Sequence, residues 1–159
     1  KGHAILERRR AQQMKTGTVD HLFIKPGHRE DMIPVKTIRV VQQKGIEGDA
    51  SFGRSKRQIL IISNEAITAY GLMPGDLREN ITVSQLDVDA IPTEARLSIG
   101  DVVLEVTGTC DPCTRLEELR VGLMDEIQGN RGILARVLQP GEITVGQTIS
   151  QDTVEIHTT

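Results

Sequence analysis

The chain has 159 residues, of which 38% are hydrophobic and 26% charged, with a net charge of −3. That length predicts one soluble domain with its own core. Aromatic content of 2% (Phe23, Phe52 and Tyr70) leaves the core to Ile, Leu and Val, and together with the charge argues against a nucleic-acid partner.

No apolar run approaches the roughly 18–20 residues of a membrane span, and no secretory signal pattern stands at the front. No membrane partner is expected, and the expected location is the cytoplasm. Residues 1–13 are polar, with Arg8, Arg9 and Arg10 in a row. They read as a cloning remnant or a native extension, expected to be disordered, leaving residues 14–159 as a single domain.

In chain order, Thr18 to Ile24 and Val35 to Val41 alternate and are rich in β-branched residues, which predicts two strands. Gln42 to Lys56 is a glycine-spaced loop. The run Gln58-Ile59-Leu60-Ile61-Ile62 predicts a buried strand, and Ser63 caps a short helix ending near Gly71. Pro74-Gly75-Asp76 is a turn and Ile81-Thr82-Val83 a short strand. Ala95 to Ile99 and Val102 to Thr107, joined by Gly100-Asp101, form the clearest hairpin. Leu116, Leu119, Leu123, Met124 and Ile127 share a helical face that Gly122 would divide. Gly132 to Leu138 is a strand, and Gly146-Gln147 turns the chain between two short ones. Strands dominate and helices are short and peripheral. This pattern predicts a mainly β (α+β) fold, a closed or strongly curved β-barrel with a few short peripheral helices. A β-α-β context with a parallel sheet is not expected.

The stretch Cys110-Asp111-Pro112-Cys113-Thr114-Arg115-Leu116-Glu117 carries the chemistry. Asp111-Pro112 fits an N-cap with proline at the first helical position, and Thr114-x-x-Glu117 fits a capping box. Either start puts Cys113 in or just ahead of a first helical turn. Unpaired N–H groups and the helix dipole favour an anion there, and Arg115 adds to the effect. A thiol in that setting is the more readily ionised nucleophile or metal ligand. The competing reading of Cys113 is a small core residue. Cys110 is a resolving thiol for an oxidised or persulfidated Cys113, or a core residue at the strand end. A zinc site would need two more ligands among histidines with no metal-pair spacing. Those histidines, His21 and His28 among them, read as solvated. Lys15, Lys25, Lys36 and Lys44 lie on polar segments without a reactive pattern.

With these pieces in order, the chain resembles the MOSC family, named for the C-terminal domain of molybdenum cofactor sulfurases. The segments are Gly45-Ile46-Glu47-Gly48-Asp49, Arg57-Gln58 opening a buried strand, and Pro74 to Thr82. They continue through Leu97 to Thr107, Pro112-Cys113-Thr114-Arg115-Leu116, and Arg131-Gly132-Ile133, with Gly146 near the end. The resemblance runs from about Thr16 to Ile149. It implies a barrel-like fold and a cysteine, matched here by Cys113, that carries sulfur or ligates molybdenum in a pterin cofactor. Reduction of N-hydroxylated compounds with an external electron donor is the implied chemistry. The other reading is persulfide carriage from a sulfur-donor protein without metal, and a third is a non-enzymatic dithiol module.

Asp49, Arg57, Gln58, Arg78, Glu79, Asn80 and Arg115 are the expected cofactor-binding set. A carboxylate and an amide at Glu79-Asn80 suit the mixed edge of a pterin, or form a solvated turn. Arg54, Lys56 and Arg57 on the glycine-spaced loop suit a phosphate. Asp49 would orient an arginine or cap the turn. The family's association with pyridoxal phosphate comes from larger proteins, and nothing in this chain supplies that site. Two positions depart from the family pattern. Ser51 stands where histidine is frequent, and Arg78 where glycine usually precedes Glu-Asn.

Overall fold

The computed structural model of the chain describes residues 15–111 and 115–152. Strand β1 (Thr16–Ile24) runs through the middle of the architecture because it meets three partners along its length. Thr16 to Thr18 pair with β11 (Thr148–Gln151), Thr18 to Leu22 with β6 (Ile81–Ser84), and Leu22 to Ile24 with β2 (Ile33–Val35). A register shift between Val19 and His21 allows this, since the extra residue re-aims the strand. Asp20, at the shift, accepts hydrogen bonds from Ser84 and Asn64.

From β11 the sheet continues through β7 (Arg96–Ile99), β8 (Val102–Thr109), β9 (Ile133–Gln139) and β5 (Ile59–Ser63) back to β6. The β1–β11 pairing closes the ring into a seven-stranded barrel with β2 hung on its edge. A separate ribbon of β10 (Gly141–Thr144), β3 (Thr37–Val41) and β4 (Gly45–Ile46) lies beside it. The predicted single strand Val35 to Val41 is therefore two. Burial alternates only from Thr37 on, with Ile38 and Val40 inward, while Ile33 is exposed and Pro34 is confined to the edge.

Three short helices, α1 (Asn64–Ala69), α2 (Leu116–Leu119) and α3 (Leu123–Ile127), cover one side of β5. This explains the unbroken apolar run. Ile59 and Ile61 point into the barrel core, while Leu60 and Ile62 pack in a second cluster with Ile67, Leu77, Leu116, Leu123 and Ile127. Ser63 caps α1 as expected, its Oγ accepting from the Ala66 N–H at 3.3 Å. Contrary to expectation, α1 joins β5 to a parallel β6, so the chain does contain one β-α-β unit. The continuous apolar run of β5 and the short run of β6 carry no information on strand direction.

Gly122, at φ +86°, separates α2 from α3, and Leu119 is left 47% exposed. Glu117, the acidic member of the expected capping box, reaches the next helix. Its carboxylate accepts from Gly122 and Met124, capping α3, and those N–H groups hold the acid below the usual glutamate range. Thr114 lies outside the described residues.

Candidate functional site: a cationic cavity at the barrel rim

Between β1, the loop after β4, the Pro74–Asn80 turn and α2 there is a cavity of about 720 Å3. Lys25, Arg54, Arg57, Arg78, Arg115 and Arg131 all face it. Arg29 is there too, 3.6 Å from Glu118. Such crowding of like charge is visible in the ionisation of the side chains. Burial pushes the Lys25 ammonium below the ordinary lysine range; Arg78, Arg54 and Arg115 push the same way, against the opposing Asp49 carboxylate. Burial and then Arg115 likewise disfavour the charge on Arg78.

The polar residues expected to meet a ligand are placed differently from one another. Gln58 is fully buried, donating to the Arg54 carbonyl at 2.7 Å and accepting from the Val137 N–H at 2.9 Å. It pins the glycine-spaced loop to β9. Asn80 accepts from the Leu60 N–H at 3.0 Å and donates to the Phe23 carbonyl and to Asp49. Asp49 also accepts from the backbone N–H groups of Lys25 and Ser51, at 2.7 and 2.9 Å. Its carboxylate thus caps the loop and is hydrogen-bonded to no arginine among the described residues. Glu79, fully buried, accepts from the Gly75 N–H and the Thr82 hydroxyl, while its Oε1 has no partner among the described residues. Gln58 and Asn80 line the cavity, while Asp49 and Glu79 hold the backbone of its lining at Lys25, Ser51 and Gly75.

Arg57 and Arg115 are cavity residues. Arg115 donates to His28 Nε2 at 2.9 Å, so His28 is not the unpartnered histidine expected. Arg78 takes φ +61°, which explains a glycine preference at this position. Its guanidinium donates to the carbonyls of Glu30 and Gly27, strapping the β1–β2 loop. Ser51 is buried on the cavity wall.

Cys110 is buried at the end of β8, faces the cavity, and is a free thiol. Cys113 lies outside the described residues. Among the described residues no three histidine, cysteine or acidic side chains gather as a metal site, and no helix is long and apolar enough to cross a membrane. Sequence reasoning missed Lys25 and treated Arg131 only as part of a motif. Neither has a local pattern that marks it; the fold alone brings both to the cavity.

The fold is similar to that of the YUAD protein from Bacillus subtilis, with a TM-score of 0.73 and 22% identity, over 84% of this chain and 94% of that one. It is also similar to YiiM from Escherichia coli (TM-score 0.68, 18% identity, 87% of this chain and 70% of that one). YiiM from Geobacillus stearothermophilus gives a TM-score of 0.69 and 21% identity over 89% of this chain and 77% of that one. No curated protein matches the chain in sequence. The model of the MOSC domain matches residues 48–150, most of the barrel and its cavity wall, and the chain belongs to the MOSC domain family.

Proposed function

We propose that this protein holds a phosphate-bearing molybdenum pterin cofactor in the cationic cavity, with the sulfur of Cys113 as metal ligand, and reduces N-hydroxylated compounds. The observation that carries this reading is the concentration of cations in one cavity of a chain whose net charge is −3, beside the strand end that leads to Cys113. Lys25 and Arg78 are each pushed toward losing their charge. Seven basic side chains line the cavity against four acidic ones, Asp31, Asp76, Asp111 and Glu118, and a phosphate would offset the excess through charge-assisted hydrogen bonds. The volume falls within the roughly 300–1,000 Å3 of small-molecule sites. The residues present fit the group.

Arg57, Arg78 and Arg115 would hold the phosphate and the charged edge of the pterin. Asp49, Gln58, Glu79 and Asn80 act through the wall they fix. When bound, the cofactor supplies the two electrons that cleave the N–O bond. Cleavage also consumes two protons and releases water. Lys25, its ammonium more acidic than an ordinary lysine, is the cavity group suited to give one of them. An external electron-donor protein would return the electrons.

Protein made in a host competent for molybdenum cofactor synthesis should retain molybdenum through gel filtration. Cys113→Ser should lose the metal while remaining folded, and Arg57→Ala should weaken cofactor retention by about 1.5–3 kcal/mol. A gain of one sulfur atom at Cys113 without metal would assign persulfide carriage instead. Reversible loss of two hydrogens across Cys110 and Cys113 would assign a dithiol module.

A further inference from the structure

Arg131 differs from the other cations of the cavity. It is only 7% exposed, whereas Arg54 and Arg57 are exposed at the surface. Its Nη2 donates to the Leu77 carbonyl at 2.7 Å, but Nε and Nη1 are buried without a partner among the described residues. No ion pair among the described residues includes it within 4.0 Å. Leu60, Leu77, Leu116 and Leu134 share the cavity lining with it. A guanidinium taken out of water into such surroundings is costly unless an anion meets it.

The main chain beside it is held firmly. Gly132, at φ +99°, passes so close to β5 that a Cβ would stand 2.5 Å from the Ile61 carbonyl oxygen. Its N–H donates to Asp89 at 3.2 Å, and its carbonyl accepts from the Cys110 N–H at 3.0 Å. Arg131 is thus anchored at its backbone and at Nη2, next to the strand end carrying Cys110, with two donors left to offer. Donors fixed before a ligand arrives lose little freedom when it binds.

We propose that Arg131 is an oxyanion seat at the inner end of the cavity, taking a carboxylate or phosphoryl oxygen of the bound small molecule through Nε and Nη1. A neutral carbonyl would satisfy a donor but leave the charge uncompensated; an anion does both. As a statement about the reactant of the proposed reductase this rests on that reading, whereas the seat itself is a property of the cavity.

The test uses cofactor-free protein titrated with inorganic phosphate, and separately with acetate, at constant ionic strength. Binding is followed by calorimetry and by the NMR signal of the Arg131 Nε–H. That signal should move and saturate with at least one anion; the one that moves it names the class. Arg131→Met should weaken the binding about 10- to 100-fold. Its Tm in the absence of anion should change little, because loss of the hydrogen bond to the Leu77 carbonyl is offset by removal of a buried charge that has no ion-pair partner among the described residues. An Arg131 signal indifferent to both anions overturns the proposal, as does a folded Arg131→Met protein that binds as tightly as the parent. If that variant fails to fold, the titration of the parent decides. Saturable anion binding in a protein that never retains molybdenum would refute the proposed function and leave the seat standing.

Discussion

Asn80 Nδ2 donates to Asp49 Oδ1 across 2.9 Å inside the protein, tying the residue before β6 to the loop after β4. Both groups are nearly inaccessible, at 3% and 5% exposure. The rest of each side chain is also engaged with backbone, so this pair sets the distance between two walls of the cavity.

Asn80→Ala should destabilise the fold by about 2–4 kcal/mol, since it leaves the buried Leu60 N–H and the Asp49 carboxylate short of a partner. The urea midpoint should fall with an unchanged slope. An unaltered midpoint would show that water replaces the amide at no cost.

Arg78→Gly should change stability little, within about 1 kcal/mol, because two opposing effects of similar size meet there. Relief of the left-handed backbone is worth about 1–2 kcal/mol, and two hydrogen bonds of about 0.5–1.5 kcal/mol each, one exposed and one part-buried, are lost. Amide exchange across residues 27–30 should quicken, since the strap to Gly27 and Glu30 is gone. Unchanged exchange there would mean that the loop is held by something other than Arg78.

Gly132→Ala should cost about 3 kcal/mol or more, combining a left-handed φ with a Cβ driven against the Ile61 carbonyl. Gly108→Ala supplies the contrast, as nothing lies within 4 Å of its Cβ and its φ is not positive. Its effect should be within about 0.5 kcal/mol. Thermal melts of the two variants side by side check the difference; equal losses would refute the close-approach argument.

Asp89 offers a pH test. Burial pushes its carboxyl above the ordinary aspartate range, the Gly132 N–H opposes this, and Asp87 adds to the rise. Above the folded pKa the native state bears the cost of a buried carboxylate. Below the unfolded value of 3.8 both states are protonated and the cost vanishes. Asp89→Asn keeps an acceptor for Gly132 and should be at least as stable as the parent at pH 7, with the advantage shrinking as pH falls toward 3.8. A parent protein more stable than Asp89→Asn at pH 7 would show the carboxylate to be favourable.

Much of the barrel is written locally. The period-two runs predict β1 and β8, the short strands at Ile81–Val83 and Gly132–Leu138 are legible as β6 and β9, Gly100-Asp101 predicts the β7–β8 hairpin, and Ser63 predicts the start of α1. Each rests on neighbours in sequence, and so does the ordered series of segments shared with the MOSC family. The buried run at Ile59–Ile62 predicted a strand covered on both faces, which the barrel core and the helix cluster supply.

Strand direction, the break at Lys36 and the closure of the ring by β1 and β11 depend on pairings across the chain, from Thr16 to Ser150 at the extreme. No local pattern encodes them. The same holds for the cavity. Motif position marks Asp49, Gln58, Glu79 and Asn80, but only the fold shows Gln58 and Asn80 lining the cavity and Asp49 and Glu79 bound to the backbone of its lining. Lys25 and Arg131 lie 106 positions apart and share one cavity. What distinguishes them is burial and the charges around them, and both are properties of the folded surroundings that residue type and spacing do not carry.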